Sequence, residues 1–226
     1  MYRELFDLES QSQMISFFYN DLSKLGKLKE IEKGEVIDPS RADEVYIVVK
    51  GYLKQFILSV DGHERGLFRL SKGTIFGEMD FFDGYRTCVL TKALEDSAVS
   101  VVHRNILESE LQKNPKIYRH FIHSIARKYR ILMLFLADNT FNDSLGKLAS
   151  ILIRLGVMHD DGEIKERMTL KRIYTHEEFA SVMGCSRITV TKGLNHLKKK
   201  KYISIENRRI VIEDVKGLQK YIKFIW

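Results

Sequence analysis

The spacing of apolar residues changes character along the 226-residue chain. Residues 1–26 carry apolar side chains in the number and spacing of one or two short helices, whereas from Lys27 the apolar stretches become short and strand-like. Four glycines recur every eleven residues near the ends of these stretches: Gly51, Gly62, Gly73 and Gly84. Regular short strands with glycine turns predict an all-β sandwich or barrel rather than alternating strands and helices. The predicted strands cover residues 45–49, 52–60, 66–70, 89–91 and 98–102.

A helical pattern begins at Asn105, and Asn114 followed by Pro115 predicts the start of a long helix. Residues 131–137 are apolar on every side, so this helix must be covered on every side. We expect the β domain to cover one side and a second copy of the chain to cover the other, as in a coiled-coil-like homodimer. A helix inside the core of a single chain is the alternative.

The helical pattern breaks at residues 138–143, which we interpret as a hinge. Asp143 can cap a following helix over residues 144–155. A polar loop at residues 159–162 then separates this helix from the lysine-rich end of the chain.

Residues 175–201 have the pattern of two short helices joined by a tight turn. Thr175 and Glu178 have the spacing of a capping box, which predicts a helix that begins at His176. Gly184 stands where a residue in the left-handed conformation would end this helix, and Cys185 is predicted to be buried in the turn. The apolar stripe of the helix consists of Phe179, Val182 and Met183.

Ser186 can cap the second helix, whose two faces differ in chemistry. The face predicted to be buried carries Val190, Leu194 and Leu197. The other face carries hydrogen-bond donors, methyl groups and positive charge, on Arg187, Ile188, Thr191, Lys192 and Asn195. This combination is typical of a recognition helix, whose N-terminal side chains meet base edges in the major groove of DNA. Two capped helices that pack only for stability are the alternative.

A β-hairpin is predicted after the lysine run at residues 198–201. Residues 202–205 and 209–213 alternate apolar and polar side chains around a polar three-residue turn. A hairpin after a recognition helix is the wing of a winged helix, and Arg208 at its tip can meet phosphate. A closing amphipathic helix is predicted over residues 215–226. The residues expected to contact DNA are Thr175, Ser186, Arg187, Ile188, Thr189, Thr191, Lys192, Asn195 and Arg208.

Positive charge is concentrated at this end of the chain. The formal net charge is +7, but residues 165–226 hold 15 Lys/Arg against 6 Asp/Glu, a net +9, and residues 1–164 hold 22 against 24, a net −2. Such asymmetry indicates a polyanion partner for the C-terminal part alone, with salt-sensitive phosphate contacts.

Other classes of protein are disfavoured by what the sequence lacks. Two cysteines, Cys88 and Cys185, cannot form a disulfide framework or a four-cysteine metal cluster, so a reducing cytoplasm is the expected location. The N-terminus has no apolar signal core, and no apolar stretch approaches the length of a membrane span. We find no catalytic His/Asp/Ser grouping, P-loop or HExxH motif, and therefore predict no enzymatic activity and no metal site.

Residues 76–88 admit two interpretations. In one, the segment is purely structural, with glycines in turns, phenylalanines in the core and an ion pair between Glu78 and Arg86. The residues with these structural tasks are Gly77, Gly84, Phe81 and Phe82. In the other, Gly77 lets backbone approach a phosphate, Arg86 and Thr87 bind that phosphate, and Glu78 accepts a hydrogen bond from a ribose hydroxyl. The spacing alone does not separate the two.

The whole chain resembles the bacterial cyclic-AMP receptor protein and FNR (CRP/FNR) family of transcription regulators. The resemblance rests on residues 45–51 (VYIVVKG), the cassette at residues 77–87, the long helix before a hinge, and residues 183–187 (MGCSR). It implies an α+β chain with an N-terminal double-stranded β-helix (β-roll) of the cyclic-nucleotide-binding type, a long dimerisation helix and a C-terminal winged helix-turn-helix. These parts are expected at residues 1–113, 114–142 and 143–226.

The resemblance also implies function. It implies a homodimer on a two-fold symmetric operator of double-stranded DNA, and contact with RNA polymerase. Arg187 matches the family's guanine-reading arginine, whereas Ile188 replaces a glutamate and offers a contact to a thymine methyl group, so the half-site should differ from that of the cyclic-AMP receptor. The alternative function is a cyclic-nucleotide-binding regulatory module whose C-terminal domain docks protein rather than DNA.

For the effector, the resemblance assigns Gly77 and Glu78 to a ribose, and Arg86 and Thr87 to a phosphate. The expected effector-binding residues are Gly77, Glu78, Met79, Arg86, Thr87, Cys88, Leu132 and Met133. Cyclic-AMP sensors of the family place hydroxyl residues against the adenine where this chain has Leu132 and Met133, which cannot hydrogen-bond a base usefully. Cyclic AMP, another effector or nucleotide, and no effector therefore all stay open. Haem would need an axial ligand such as His103 or Cys88, which no spacing singles out.

Overall fold

The structure, a computed structural model, describes residues 7–37, 43–159 and 164–224. Its described residues fall into two compact units, one formed by Glu9–Tyr129 and one whose main part is Arg130–Trp226. The division lies within the long helix, and the predicted domain limits at residues 113 and 142 remain a prediction.

The first unit contains two four-stranded antiparallel sheets that enclose one apolar core. One sheet has the order β1-β8-β3-β6 and the other β2-β7-β4-β5. The strands are β1 Lys27–Ile31, β2 Val36–Ile37, β3 Glu44–Lys50, β4 Leu53–Leu58, β5 Glu64–Leu70, β6 Ile75–Phe76, β7 Leu90–Ala93 and β8 Ser97–His103. Every strand contributes at least one side chain to this core, so the predicted all-β domain is confirmed. Strands β1, β2 and β6 were not predicted, because β1 buries only Ile31 and the other two have two residues each.

The glycine series has the backbone conformation that its spacing predicts. Gly51, Gly62, Gly73 and Gly84 all have positive φ, between 78° and 80°. At Gly73 a Cβ atom would also lie 2.6 Å from Cγ2 of Ile15, so this turn excludes any larger residue on two grounds.

Helices pack on the sheets of the first unit. They are α1 Leu8–Asn20, a 3₁₀ turn Leu22–Leu25, α2 Glu78–Asp83, α3 Arg104–Lys113, a 3₁₀ turn Pro115–Ile117, and residues 118–129 of α4 Tyr118–Phe141. The predicted long helix thus begins with a separate turn, in which the Asn114 side chain accepts a hydrogen bond from the Lys116 N–H. Phe121 of α4 is buried against Phe18 of α1, whereas Leu132 and Leu136, in the stretch predicted to be covered on every side, are exposed.

The predicted hinge at residues 138–143 is wrong in its first four residues, because α4 continues to Phe141. Asp138 is buried and its Oδ2 lies 2.8 Å from a guanidinium nitrogen of Arg154, so the end of α4 is held by a side-chain contact rather than broken. The predicted cap is confirmed, since Asp143 Oδ1 accepts hydrogen bonds from the N–H groups of Leu145 and Gly146. The next helix, α5 Ser144–His159, runs four residues past its predicted end.

The second unit packs α5 and a helix-turn-helix against a three-stranded sheet. Its remaining elements are β9 Met168–Thr169, α6 His176–Met183, α7 Arg187–Lys199, β10 Ile203–Glu206, β11 Arg209–Ile212 and α8 Val215–Gln219. The sheet order is β10-β11-β9, and β9, with two residues, was not predicted. The closing helix ends at Gln219, short of its predicted end; Trp226 and residues 160–162 of the predicted polar loop lie outside the described residues.

Candidate nucleic-acid interface and effector site

Both helices of the helix-turn-helix begin as their capping residues predict. Thr175 Oγ1 accepts a hydrogen bond from the Glu178 N–H at 3.1 Å, and Glu178 Oε2 accepts one from the Thr175 N–H at 2.8 Å. Gly184 ends α6 in the left-handed conformation with φ 63° and ψ 45°. Ser186 Oγ then accepts from the Thr189 N–H at 3.1 Å at the start of α7. The ends of the two helices at this turn, and the start of α6, are therefore determined within a twelve-residue stretch, residues 175–186.

The Glu178 carboxylate also carries the negative charge of this capping box. Burial by itself raises the pKa of Glu178, but hydrogen bonds from Thr175 and the adjacent positive charge of Arg172 outweigh it, so the pKa is lowered. The carboxylate is therefore ionised near neutral pH, as its two capping hydrogen bonds require.

The inner face of the helix pair forms one apolar core, as predicted. Phe179 and Met183 of α6 are buried with the three predicted side chains of α7, which are Val190, Leu194 and Leu197. Cys185 is half-buried at the edge of this core, so the prediction that it is buried was wrong. Cys185 directly follows Gly184, in the turn that joins α6 to α7.

The opposite face of α7 presents its N-terminal side chains to solvent. Arg187, Lys192 and Asn195 are exposed, and Ile188 is 67% exposed although it is aliphatic. The N-terminal part of α7 therefore combines an exposed branched aliphatic side chain with exposed positive charge on one face. Ser186 and Thr175 are exposed next to it, and Thr189 is half-buried with its hydroxyl 3.0 Å from Ser186 Oγ.

Thr191 has a structural task that the sequence did not indicate. Its hydroxyl donates to the backbone carbonyl of Arg187 at 3.0 Å and lies 2.8 Å from Nδ1 of His176, the first residue of α6. The contact between His176 and Thr191 joins the two helices across their polar side. Thr191 therefore orients the surface on which it lies, in addition to any contact with DNA that we predicted for it.

The predicted wing is present. Asn207 and Arg208 form a two-residue turn and both have positive φ, which is the conformation of a type I′ hairpin turn. Glu206, predicted in a three-residue turn, instead pairs with Arg209 across the hairpin. Arg167 forms ion pairs with Glu206 and with Glu213, which link the two sides of the hairpin on its exposed face. This role of Arg167 was not predicted from the sequence. The Arg208 side chain at the tip is exposed.

The cassette of the first unit begins with a glycine in the left-handed conformation. Gly77 has φ 82°, and a Cβ atom there would lie 3.1 Å from the backbone oxygen of Glu44, so the position requires glycine. It precedes the short helix α2, which was not predicted, and Met79 of this helix is exposed.

Glu78 is buried, with 1% of its surface exposed, and it is held by residues of α4. Its Oε1 accepts hydrogen bonds from the Ser124 hydroxyl at 2.9 Å and from Lys128 Nζ at 2.5 Å. Lys128 Nζ also donates to the backbone carbonyl of Ile75 at 2.9 Å. The sequence analysis missed Ser124 and Lys128; the signal that could have found them is their i, i+4 spacing on the buried side of α4, where apolar residues are expected.

The ion pair that the structural interpretation assigned to Glu78 and Arg86 is therefore wrong, because Lys128 takes the place of Arg86. Arg86 is exposed and makes no hydrogen bond or ion pair with any residue in 7–37, 43–159 and 164–224. The Thr87 N–H donates to Oδ1 of the buried Asp80 at 3.1 Å, which folds the end of the cassette back onto α2. Phe81 is buried as predicted, whereas Phe82 is exposed and Cys88 is exposed.

The remaining predicted effector residues are on α4. Leu132 and Met133 are 37% and 42% exposed and belong to the second unit, whereas the cassette belongs to the first. Their part in an effector site remains a prediction.

The described residues contain no group of three or more His, Cys, Asp or Glu side chains placed to hold a metal ion. None of their helices combines the length and apolar character that crossing a membrane requires.

Comparison with known proteins agrees with this arrangement. Residues 28–114 match the family model described as a cyclic nucleotide-binding domain, and residues 146–221 match the one described as a Crp-like helix-turn-helix domain. The chain is 31% identical over 179 residues to a "CRP-like cAMP-activated global transcriptional regulator" of Mycobacterium tuberculosis, covering 79% of each chain. It is 28% identical over 211 residues to the "Anaerobic regulatory protein" of Bacillus subtilis, covering 90% of this chain and 87% of that one.

Among solved structures, the chain is similar to a CooA mutant from Carboxydothermus hydrogenoformans. The TM-score is 0.75 at 20% sequence identity, over 88% of this chain and 89% of that one. At this identity the similarity concerns the fold alone. It agrees with the order of elements described above, from the β unit through the long helix to the winged helix-turn-helix.

Proposed function

Because the chain belongs to the CRP/FNR family of transcription regulators, we propose that it acts as a homodimer whose two α7 helices bind the half-sites of a symmetric operator. The chain is a DNA-binding regulator with an effector domain and not an enzyme. Its place of action in this proposal is the cytoplasm, where it meets both operator and RNA polymerase.

The observation that carries the proposal is the exposed N-terminal face of α7. Arg187 has the fork of donors that fits guanine O6 and N7, and Ile188 can contact the methyl group of thymine. Lys192 and Asn195 follow on the same face, where phosphate and base contacts are both within reach. The caps at Thr175 and Ser186 fix the start of both helices, so the backbone that carries this face needs little ordering when it binds.

A stripe of exposed apolar residues on α4 supports the homodimer. Ile122, Tyr129 and Leu136 are exposed and follow one another at intervals of seven residues, which is the repeat of a coiled coil. Leu132 and Met133 are exposed between them. A water-exposed helix face of this kind is costly for a monomer, and a second copy of the same helix would cover it.

The DNA contacts can be tested by replacing Arg187 and, as a matched control, the exposed Arg208 of the wing. An operator is first selected by the wild-type protein from a pool of random duplexes. Arg187→Ala should lose about 1–3 kcal/mol on this operator and relax one base position, whereas Arg208→Ala should weaken operator and random DNA about equally. Equal losses on both DNAs for Arg187→Ala would contradict its role in base recognition.

For the effector, we propose a small anionic ligand, with a cyclic nucleotide as the first candidate. Arg86 is exposed and can bind a phosphate, and the mycobacterial relative is named as a cAMP-activated regulator. Lys128 fixes Glu78 through Oε1 alone, and no hydrogen bond to Oε2 from a described residue occupies the other oxygen, which can accept from a ligand hydroxyl. Leu132 and Met133 would supply only apolar contacts to a base.

Thermal unfolding against a panel of nucleotides and metabolites tests the effector. A large rise in Tm with one cyclic nucleotide that is lost in Arg86→Ala, but kept in a control such as Arg119→Ala, would support the cassette as the binding site. Without a rise for any nucleotide, the effector belongs to another chemical class or the regulator has none.

A further inference from the structure

We propose that a lysine surface on the second unit binds the phosphate backbone of duplex DNA beside the bases read by α7. The lysine surface consists of Lys198, Lys199, Lys200, Lys201, Lys216 and Lys220, all of which are exposed. This inference rests on the proposed DNA binding and adds a second contact to it, which recognises charge rather than sequence.

Two lysines of this surface lie on the DNA-binding face of α7. Lys198 follows Thr191 by seven residues and Lys199 follows Lys192 by seven, so both lie on the face of the helix that carries the DNA-binding candidates. The 13 residues of α7 extend over roughly 20 Å, which exceeds the width of about 12 Å of a major groove. When the N-terminal end reaches base edges, the C-terminal end therefore lies close to the phosphates that border the groove.

The C-terminal segment adds positive charge to the same region. Tyr221 OH lies 3.0 Å from Nε2 of His196, near the end of α7, and the rings of Tyr202 and Tyr221 are 6.2 Å apart. Gly217 packs so closely on Tyr202 that a Cβ atom would lie 2.5 Å from the ring. These contacts place α8, with Lys216 and Lys220, against the end of α7.

The described residues of the chain do not neutralise the positive charge of the lysine surface. Residues 187–205 and 215–224 contain no Asp or Glu at all. Within the described parts of the chain, none of the six lysines forms an ion pair with a carboxylate. A lysine in the last turn of a helix can stabilise the helix dipole by about 0.3–1 kcal/mol, which applies to Lys198 and Lys199 on α7 and to Lys216 on α8, but Lys201 lies beyond the end of α7.

Duplex DNA fits this surface better than an acidic protein does, because the charge is continuous with the base-reading face of α7. A phosphate backbone also presents negative charge at short, regular intervals, which several neighbouring lysines can contact together. A partner protein would have to meet the surface without blocking Lys192 and Asn195 on the same helix.

The test compares the double variant K198Q/K199Q with the matched control K24Q/K27Q, which removes two exposed lysines from the first unit. Binding of each full-length protein to a random-sequence duplex of about 40 base pairs is measured by fluorescence anisotropy between 50 and 200 mM KCl. Each lost phosphate contact should reduce the slope of log K against log salt by about 0.9, hence by about 1.8 per subunit for the double variant. We also expect its affinity at 100 mM KCl to fall roughly tenfold or more, while the control keeps the wild-type slope.

Two additional variants and assays separate the outcomes. K198R/K199R should restore binding, since arginine also contacts phosphate, and circular dichroism checks that all variants are folded. Wild-type slope and affinity in K198Q/K199Q would overturn the inference. Unchanged DNA binding by K198Q/K199Q together with a loss of transcription by purified RNA polymerase would also overturn the inference, because the lysine surface would then bind an acidic protein rather than DNA. If the wild-type protein binds no duplex at all, the proposed function itself fails.

Discussion

Asp138 and Arg154 form a buried ion pair that joins the end of α4 to α5, and breaking it should be costly. The two side chains are 4% and 6% exposed, and Arg154 NH1 lies 2.8 Å from Asp138 Oδ2. The contact is made at ion-pair distance although its hydrogen-bond geometry is poor. Asp138 Oδ1 also accepts a hydrogen bond from the Asn142 side chain at 2.9 Å, and the Arg154 guanidinium lies 5.2 Å from the centre of the Phe135 ring.

The size of the effect follows from this environment. Removing one partner of a buried pair leaves the other charge without compensation and typically costs about 3–5 kcal/mol. We expect about 3 kcal/mol for Arg154→Met, because the bond from Asn142 still stabilises Asp138, and a similar loss for Asp138→Leu. Replacing both should cost much less than the sum, within about 1–2 kcal/mol of the wild type, because no buried charge is left.

Urea unfolding of the four proteins, followed by circular dichroism at 222 nm, gives the coupling energy in a double-mutant cycle. We predict a coupling of at least about 2 kcal/mol. If the double variant loses the sum of the two single losses to within about 0.5 kcal/mol, the pair does not act as a unit and this account of the α4–α5 junction is refuted.

Three further predictions concern the helix-turn-helix. Thr175→Ala should lower the free energy of unfolding by about 1 kcal/mol, measured by urea unfolding, because the Glu178 N–H loses its side-chain acceptor; a loss below 0.3 kcal/mol would speak against the cap. Gly184→Ala should cost about 1–2 kcal/mol in the same assay because φ is 63° there, and no cost would mean that the turn relaxes. Because the pKa of Glu178 is lowered in the folded protein, the ionised carboxylate stabilises the fold above its ordinary pKa of 4.5. The difference in Tm between wild type and Glu178→Gln should therefore be largest above pH 4.5 and shrink as the pH falls through the lowered pKa. A difference in Tm that does not depend on pH would contradict this prediction.

The helix-turn-helix could be predicted from the sequence because its determinants are local. Thr175 and Glu178 are three residues apart, and Gly184 and Ser186 act on their immediate neighbours. Each of these effects depends on backbone groups within one helical turn. The same holds for the wing, since the turn at Asn207 and Arg208 is made by adjacent residues.

The end of α4 could not be predicted, because its partners are distant in sequence. Arg154 contacts Asp138, and the Lys223 N–H donates to Asn142 Oδ1 across 81 residues. These contacts hold helical residues in a stretch whose composition is typical of a loop. The anchoring of Glu78 by Lys128 has the same cause, since 50 residues separate the two side chains.

Paired recognition by two α7 helices can be checked by letting the purified wild-type protein select bound sequences from a pool of random duplexes. We expect an inverted repeat whose half-sites are centred about one helical turn of DNA, or a multiple of it, apart, with a guanine that Arg187→Ala no longer selects. Enrichment of a single unrepeated site, or of no sequence at all, would contradict the claim that paired α7 helices read the operator.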